Sequence, residues 1–444
     1  FFVILADAQL PSPPVCTSTS YRKTFFVQND SVEAICQFNA EVGKLIAGRH
    51  KPAAAISESG FILKIDVAAN IQWAKDYSDL DPDKQIRIIR GIKSAGDQYI
   101  LVARMTSVSE PDYNKTLVIK TAADGSILWS KLISVDPATD ASGYLQLQAL
   151  NEGPDGSILL CGTVPDNSND AALGQYGFVM KLTGNGDLLF SKLFISGIVT
   201  RNDLVGIFDT GSNILVFGMI EDGTCPGLDI RAFYTMSLNS LNGDIEGVHR
   251  YCFAQEPEVF GFAEYHHNYE VVRSADEFSL FGFLAESGPG KRDFLVASFN
   301  NAGEFVSAKS IKEPLTGSAF HDINVDENGM IALFGQKPSQ GLYTSIYEGD
   351  DRLPAQSQID LEGFDNLYFI SEGGQKIAFN RDGSCDYATN SVRGGQSSID
   401  YFHLNANGHY SGRCLGNDTT FQSSTANFNV DISPLTFAQT LSGK

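Results

Sequence analysis

The sequence is poor in basic residues and has no long apolar run. Lys and Arg number 32 against 53 Asp and Glu, which gives a formal net charge of −21. Because so acidic a surface repels phosphate backbones, this balance argues against nucleic-acid binding. The longest apolar run, residues 1–6, is far shorter than the roughly 20 residues that span a bilayer. The sequence therefore predicts a chain that does not cross a membrane.

The motifs of common enzyme and metal sites are also missing. There is no His-x-x-x-His or Cys-x-x-Cys spacing, no G-x-S-x-G elbow and no phosphate-binding loop. His266 and His267 follow Glu264, but adjacent residues on a strand point to opposite faces. Asp79, Asp81 and Asp83 have the spacing of a calcium loop without its glycine and distal Glu, so we interpret them as a connecting loop. We predict no catalytic residue, no metal and no cofactor.

A short apolar strand, usually followed by glycine, recurs along the chain. Each copy has one strand before it and two after it, and the last two are joined by a tight turn that is often Asn-Gly or Asp-Gly. Four strands repeating every 45 to 64 residues are typical of propeller blades. We predict an all-β fold, a β-propeller of seven four-stranded antiparallel blades over residues 19–414, with six or eight blades as alternatives. The copies of the apolar strand are residues 45–48, 100–103, 159–162, 215–218, 280–282, 332–335 and 377–380.

The two ends of the chain leave the closure of the ring open. Residues 21–27 have the pattern of an outermost strand that would complete the last blade, yet residues 409–414 have that pattern too. We interpret residues 1–18 as a signal-peptide remnant or an N-terminal linker. Residues 415–444 are interpreted as a C-terminal edge strand or linker.

Lysines recur at two places in the repeat. A basic ring for an anionic ligand is one interpretation, and charges that discourage edge-to-edge pairing of strands are the other. The acidic balance of the chain favours the second interpretation. The lysines are Lys64, Lys120 and Lys181 on third strands, and Lys75, Lys131, Lys192 and Lys309 on outer strands.

The chain has an odd number of cysteines, seven in all. Cys225 with Cys252, and Cys385 with Cys414, lie at equivalent places in two repeats, which predicts two disulfides and an oxidising compartment. Cys161 lies in an apolar strand and is predicted to be a buried free thiol. The pairing of Cys16, Cys36 and Cys161 stays open.

The best-preserved repeats are residues 60–75 and 117–131, each with a Lys, a turn and a Trp-x-Lys strand. They resemble the secreted β-propeller repeat proteins of Bacteroidota, many of which are exported by the type IX secretion system. The resemblance implies a secreted or cell-surface protein, and it brings no agreed catalytic residues.

Propellers bind through loops on a stiff frame. We therefore predict a non-enzymatic exported propeller, a protein-interaction or scaffolding module that could serve as a subunit of a surface adhesin or appendage. Its partner would be a protein or a larger surface assembly. A carbohydrate-binding or polysaccharide-active propeller, with a glycan as ligand, is the alternative. The inserts expected to bind are residues 49–60, 106–114, 164–175, 222–229 and 284–292.

Overall fold

The computed structural model describes 22 stretches of the chain between residues 21 and 434. Cys16, Cys225, Cys252, Cys414, His266, His267 and residues 1–18 and 409–414 lie outside the described residues, so the predictions made for them stay predictions. No helix of the described part has the length and apolar character needed to cross a membrane. The described stretches are residues 21–27, 29–79, 81–110, 113–134, 145–164, 176–194, 201–221, 231–251, 269–274, 277–285, 292–312, 319–325, 330–337, 341–348, 351–359, 366–368, 377–380, 384–393, 396–404, 419–420, 424–428 and 431–434.

Short strands make up almost all of the described structure. Strand β1 (Tyr21–Phe26) precedes the first sheet. Blades 1, 2 and 3 follow as β2 (Ser31–Asn39), β3 (Lys44–Lys51), β4 (Ser59–Ile65) and β5 (Ile71–Asp79); β6 (Lys84–Ser94), β7 (Gln98–Ser107), β8 (Asn114–Thr121) and β9 (Ile127–Ser134); and β10 (Gln146–Glu152), β11 (Ile158–Val164), β12 (Tyr176–Leu182) and β13 (Leu188–Phe194). A single 3₁₀ turn, Ala95–Asp97, joins β6 to β7.

The second half of the chain continues in the same way. Blades 4, 5 and 6 are β14 (Arg201–Asp209), β15 (Asn213–Glu221), β16 (Arg231–Asn239) and β17 (Ile245–Tyr251); β18 (Tyr269–Arg273), β19 (Glu277–Ala285), β20 (Arg292–Asn300) and β21 (Phe305–Lys312); and β22 (Ala319–Val325), β23 (Met330–Lys337), β24 (Gly341–Glu348) and β25 (Asp351–Ile359). The last elements are β26 (Asn366–Tyr368), β27 (Ile377–Phe379), β28 (Cys385–Arg393), β29 (Gln396–Leu404), β30 (Thr419–Thr420), β31 (Ser424–Phe428) and β32 (Asp431–Pro434).

The strands form seven sheets. In blades 1 to 6 the four antiparallel strands are neighbours in sequence, whereas blade 7 takes its outermost strand from the N-terminal part of the chain. Each sheet packs against the next one along the chain. The first strand of a blade contacts the first strand of the preceding blade, and β6 and β14 also contact the second and third strands of that blade. The protein is a seven-bladed β-propeller, which confirms the fold predicted from the repeat.

The N-terminal strand closes the ring. Strand β1 pairs antiparallel with β29, with Tyr21 opposite His403 and Phe25 opposite Ile399, and so forms the outermost strand of blade 7. The C-terminal segment then follows the rim of the ring: β30 pairs in parallel with β1, β31 with β5 and β32 with β9. Both chain ends therefore contribute to the junction between blades 7 and 1. Strand β1 of blade 7 is followed along the chain by β2 of blade 1, and the C-terminal segment pairs with the outer strands of both blades.

The recurrent glycine has a packing role, and it does not end its strand. Strand β3 continues past Gly48 to Lys51, and β11 continues past Gly162 to Val164. Opposite Gly48, Gly162, Gly218 and Gly335 the first strand of the blade carries a β-bulge, between Ala34 and Cys36 in blade 1. A Cβ atom at Gly48 would overlap the carbonyl oxygen of Glu33, and one at Gly162 would overlap that of Gln146. Glycine is needed because the bulge brings backbone against backbone.

The strand assignment within blade 7 was wrong in one respect. Residues 377–380 were predicted to be its second strand, but β27 lies beside β26 at the inner edge and both pair with β28. Strand β28, with sequence CDYATNSVR, is the second strand. Its polar middle, where Thr389, Asn390 and Ser391 are all buried, hides the apolar pattern. Asn390 forms hydrogen bonds with Ala34 of blade 1, and Ser391 forms one with Ser398 of the same blade.

The outer strand of one blade packs on the turn of the next. In blade 2 the Trp129 side chain lies against Gly186 of blade 3, and its indole N–H donates to the Gly184 carbonyl at 3.1 Å. Trp73 lies against Gly125 in the same way. These contacts explain why the repeat combines a turn glycine with an outer-strand aromatic residue, and they give Trp73 and Trp129 a structural role.

The recurrent lysines also join neighbouring blades, which corrects their interpretation as edge-protecting charges. On third strands, Lys64 binds Asp97 at 3.2 Å and Lys181 binds Asp209 at 3.0 Å, while Lys120 lies 4.0 Å from Glu152. On outer strands, Lys131 and Lys192 lie 3.8 Å and 3.0 Å from turn carboxylates of the next blade. Each of these five cations lies beside a carboxylate of the following blade, so they do not form a basic ring.

Candidate functional site

The strand ends that flank the five predicted inserts lie on the same face of the propeller, although residues 165–175, 222–229 and 286–291 of those inserts are outside the described residues. Each joins the second strand of a blade to its third strand, in blades 1 to 5 in turn. Because strands within a blade alternate in direction, this connection always falls on one side of the ring. We call this side the insert face. The opposite side, which carries the hairpin turns, is the turn face.

An ion-pair network holds the base of the first insert. The Arg49 guanidinium binds Glu33 of the first strand and lies 3.4 Å from Glu58 at the far end of the insert. Glu58 also accepts a hydrogen bond from Arg87 Nε of blade 2 at 2.9 Å. The network ties both ends of the insert to two blades, which gives the insert face a stiff base at this point.

His50 connects the same insert to the start of blade 1. Its Nδ1 lies 2.8 Å from Asp76 Oδ2, and its Nε2 lies 3.1 Å from Asp30 Oδ2. Asp30 also accepts a hydrogen bond from the Ala53 backbone N–H at 2.9 Å. Burial alone would lower the pKa of His50, but the hydrogen bonds and charges of Asp76 and Asp30 outweigh it and raise the pKa. The buried imidazole is therefore favoured in its charged form.

The acidic run Asp79, Asp81 and Asp83 caps turns of the loop between blades 1 and 2. Asp79 and Asp81 each accept a backbone N–H two residues ahead. Asp83 accepts hydrogen bonds from Ser107 and Ser109 at the start of the second insert. These hydrogen bonds hold the pKa of Asp83 below its usual value.

Large apolar side chains stand exposed on both faces. On the inserts, Ile56 is 77% exposed and Val108 is 45% exposed. On the turn face, Val42 is 60% exposed and Val67 is 73% exposed. The insert face therefore combines a rigid base with exposed apolar side chains. Val42 and Val67 on the turn face have similar exposure and serve as a comparison.

A cavity of about 550 Å³ opens at the turn-face end of the central channel. It lies where the first strands of blades 3, 4, 5 and 6 end, and it is a concave site of the size that binds small molecules. Its polar lining is Asn151, Glu152, Asp209, Glu270 and Arg273, and its apolar lining is Pro154, Phe208, Val271, Val272 and Val325.

Two of the cavity's carboxylates are held by structural partners. Asp209 accepts from Lys181 Nζ at 3.0 Å and from the Gly211 backbone N–H at 2.7 Å. Glu152 accepts from Ser94 Oγ at 2.6 Å and from the Ala95 backbone N–H at 3.3 Å. Both groups therefore act first as ties between neighbouring blades.

Three further residues bring a guanidinium, a carboxylate and an aromatic ring to the cavity. Arg273 is exposed and donates through Nη1 to the Asp209 carbonyl at 2.9 Å, with its guanidinium 5.5 Å from the centre of the Phe278 ring. Glu270 accepts from Asn324 Nδ2 at 3.3 Å. Phe208 is half-buried, with its ring centre 5.1 Å from that of Phe278. A guanidinium, a carboxylate and an aromatic surface thus meet at one opening.

Sequence reasoning did not find this cavity. Its residues lie at the ends of first strands, the least regular strands of the repeat, and come from four blades. Aligning the ends of the first strands would have shown a charged residue at each of Glu152, Asp209 and Arg273. That alignment gives no distance between blades, so it could not have shown the opening.

Three cysteines lie among the described residues, and all are buried free thiols. The prediction for Cys161 is confirmed, and burial raises the pKa of the Cys161 and Cys385 thiols. A free Cys385 on β28 gives no support to its pairing with Cys414. Because Cys414, Cys225 and Cys252 lie outside the described residues, both disulfides stay predictions.

No family model and no curated protein matches the chain. Among solved structures, it is similar to an α-L-arabinofuranosidase of Fusarium graminearum, at 12% identity over 71% of this chain and 92% of that one, with a TM-score of 0.44. It is also similar to the WD40 domain of Toxoplasma gondii coronin, at 10% identity over 86% and 85%, with a TM-score of 0.43. A third similar structure is a protein of unknown function from Bacteroides caccae, at 10% identity over 67% of this chain and 89% of that one, with a TM-score of 0.35. Likenesses this distant carry no argument about function.

Proposed function

We propose that the protein is a non-enzymatic, exported or cell-surface propeller that binds a protein partner through its insert face. The observation that supports this most is that the strand ends flanking all five inserts lie on one side of the ring. A binding surface made of several loops on a rigid frame is a common way in which propellers and other scaffolds recognise partners. The exposed Ile56 and Val108 supply apolar contact area of the kind found at interface centres.

The export half of the proposal has a separate basis. It rests on the resemblance of residues 60–75 and 117–131 to secreted repeat proteins and on the interpretation of residues 1–18 as a signal-peptide remnant. Fractionation of the producing cells, followed by immunoblotting of medium, envelope and cytoplasm, tests it. Protein confined to the cytoplasm would contradict export and would leave partner binding to be judged by the experiment below.

A polysaccharide-active enzyme is the second candidate, and the cavity is the feature that favours it. Hydrolysis of a glycoside needs two carboxylates flanking the bond, one of them ready to give up a proton. Asp209 and Glu152 are instead engaged by Lys181 and Ser94. This engagement supports binding in preference to hydrolysis.

The partner proposal is tested by site-specific photo-crosslinking. A photoreactive amino acid is placed at position 56 or 108, or at the matched turn-face position 42 or 67, and the protein is added to envelopes of the native cell. We expect one and the same protein to crosslink from positions 56 and 108 only. Ile56→Asp and Val108→Asp should weaken its binding by about tenfold or more, the usual effect of losing an apolar anchor, while Val42→Asp and Val67→Asp should not. Equal crosslinking from both faces would refute the proposal.

A further inference from the structure

We propose that the cavity at the turn-face end of the channel binds a neutral, polyhydroxylated ligand of monosaccharide to disaccharide size. The cavity volume of about 550 Å³ lies within the range of small-molecule sites. Its walls are strand ends held by the hydrogen bonds of four blades, so the opening exists before any ligand arrives. The site is on the face opposite the inserts and does not depend on the protein partner proposed above.

The charges of the cavity favour a neutral ligand. Asp209 faces Lys181 at 3.0 Å, and Lys120 lies 4.0 Å from Glu152. Glu270 and Arg273 add one charge of each sign to the lining. The lining holds three carboxylates and one guanidinium, and Lys181 and Lys120 outside it neutralise two of the carboxylates, so neither a cation nor an anion meets a net opposite charge. An uncharged ligand is desolvated at less cost than either ion.

The hydrogen-bonding groups of the cavity match a sugar diol. A hydroxyl group both donates and accepts, so neighbouring hydroxyls can donate to a carboxylate and accept from a guanidinium. Glu270 supplies the acceptor. Arg273 makes one hydrogen bond, through Nη1, with the described residues, which leaves other N–H groups of its five donors for a ligand.

An apolar surface completes the match. Phe208 is half-buried at the cavity and its ring is fixed by contacts with Phe217 and Phe278, at 6.2 Å and 5.1 Å between ring centres. The C–H face of a sugar ring is apolar and packs on such a surface. An aromatic surface beside a carboxylate and a guanidinium therefore distinguishes a sugar from a simple polar solute.

Saturation-transfer NMR on the full chain tests the proposal. The probes are the methyl glycosides of glucose, galactose, mannose, xylose and arabinose, with glucosamine as the cationic and glucuronate as the anionic comparison. We expect at least one neutral glycoside to receive saturation and to bind more tightly than either charged sugar. Preferential binding of glucosamine or glucuronate, or no binding by any probe, would overturn the proposal.

Substitutions then locate the binding site. Arg273→Gln and Glu270→Ala should each weaken the bound glycoside by about tenfold, the usual scale for a hydrogen bond to a charged group. Phe208→Leu keeps an apolar residue in place and should weaken binding less. Glu246→Ala, on the exposed outer strand of blade 4, is the matched control and should change nothing. Circular dichroism checks that each variant is folded, and unchanged binding in folded Arg273→Gln and Glu270→Ala would place the ligand elsewhere and contradict the proposal.

Discussion

The junction between blades 2 and 3 and the junction that closes the ring solve the same packing problem with different chemistry. Between blades 2 and 3, the contact is an apolar cluster that includes Val102, Val118 and Leu147, covered at the rim by Trp129 over a turn glycine. Between blades 7 and 1, buried Lys44 lies 3.4 Å from buried Asp386, and the Asn390 side chain pairs with both backbone groups of Ala34.

The difference has a physical reason. Blades 2 and 3 are joined by the chain, so apolar contact is enough to hold them together once the linker places them. The closing junction joins distant parts of the chain, with Ala34 and Asn390 separated by 356 residues. Directional hydrogen bonds and a charge pair allow one alignment of blade 7 on blade 1 and disfavour shifted ones. This comparison teaches that the closing junction, which has an apolar cluster of its own that includes Ala34 and Tyr401, adds buried polar contacts that fix its alignment.

The largest effect is expected from removing the buried charge at the closing junction. Asp386→Ala leaves Lys44 buried without its counter-charge and also removes the partner of His403 Nδ1, which lies at 2.6 Å. Breaking a buried ion pair costs about 3–5 kcal/mol of folding free energy. Urea unfolding followed by fluorescence measures it.

The control for this prediction replaces both charges. The double variant Lys44→Met with Asp386→Leu should recover much of the loss, because no unpaired charge is left. If Asp386→Ala is as stable as the wild type, the closing junction is not held by this pair and the comparison fails.

The next effect concerns the apolar junction. Gly186 has a φ of +85° and a Cβ atom there would lie 2.8 Å from the Trp129 ring. Gly156 has a φ of +76° with nothing within 4 Å of such an atom. Both alanine variants strain the backbone by about 1–2 kcal/mol. Gly186→Ala should lose about 1–3 kcal/mol more because it overpacks the junction.

Differential scanning calorimetry of the two alanine variants tests this expectation. A lower transition temperature for Gly186→Ala than for Gly156→Ala would support the contact between Trp129 and the turn. Equal transition temperatures would show that the outer-strand aromatic residue does not hold the next blade.

A smaller effect should appear as a pH dependence of stability at the base of the first insert. The pKa of His50 is raised in the folded protein, so its contribution to stability is fully present below about pH 6.5, the usual pKa, and is lost as the pH rises through the folded value. We expect the free energy of unfolding to fall across that window, because the folded protein holds the proton on His50 more tightly than the unfolded chain does.

His50→Gln removes the ionisable group and should flatten the dependence of unfolding free energy on pH above 6.5. His249→Gln, on the exposed outer strand of blade 4, is the matched control and should leave the wild-type slope. The same slope in His50→Gln as in the wild type would show that His50 does not tie the first insert to blade 1.

The smallest effect is expected at the rim of the apolar junctions. Lys192 lies 3.0 Å from Asp244, whose side chain is 49% exposed, so solvent screens the pair. Lys192→Ala should cost only about 0.2–1 kcal/mol. A loss in urea unfolding as large as that of Asp386→Ala would remove the distinction between the two kinds of junction.

The sequence predicted the parts of the fold that depend on neighbouring residues. Trp129 with its following lysine, the turn at Gly186 and the strand around Cys161 all belong to a local pattern, and the structure has each as predicted. The second strand of blade 7 was missed because its middle is polar, and the lysines were misinterpreted because their carboxylate partners lie in the next blade. The cavity was missed since Glu152, Asp209 and Arg273 are far apart along the chain.

By itself, the sequence predicted the four-stranded repeat, the strand order of the first six blades and the position of the inserts, because hydrophobic alternation and turn chemistry act over a few residues. Only the tertiary structure decided which strand closes the ring, what the lysines bind and where an opening forms at the axis. Those features arise where residues from different blades meet, and their distances depend on how the blades pack around the axis.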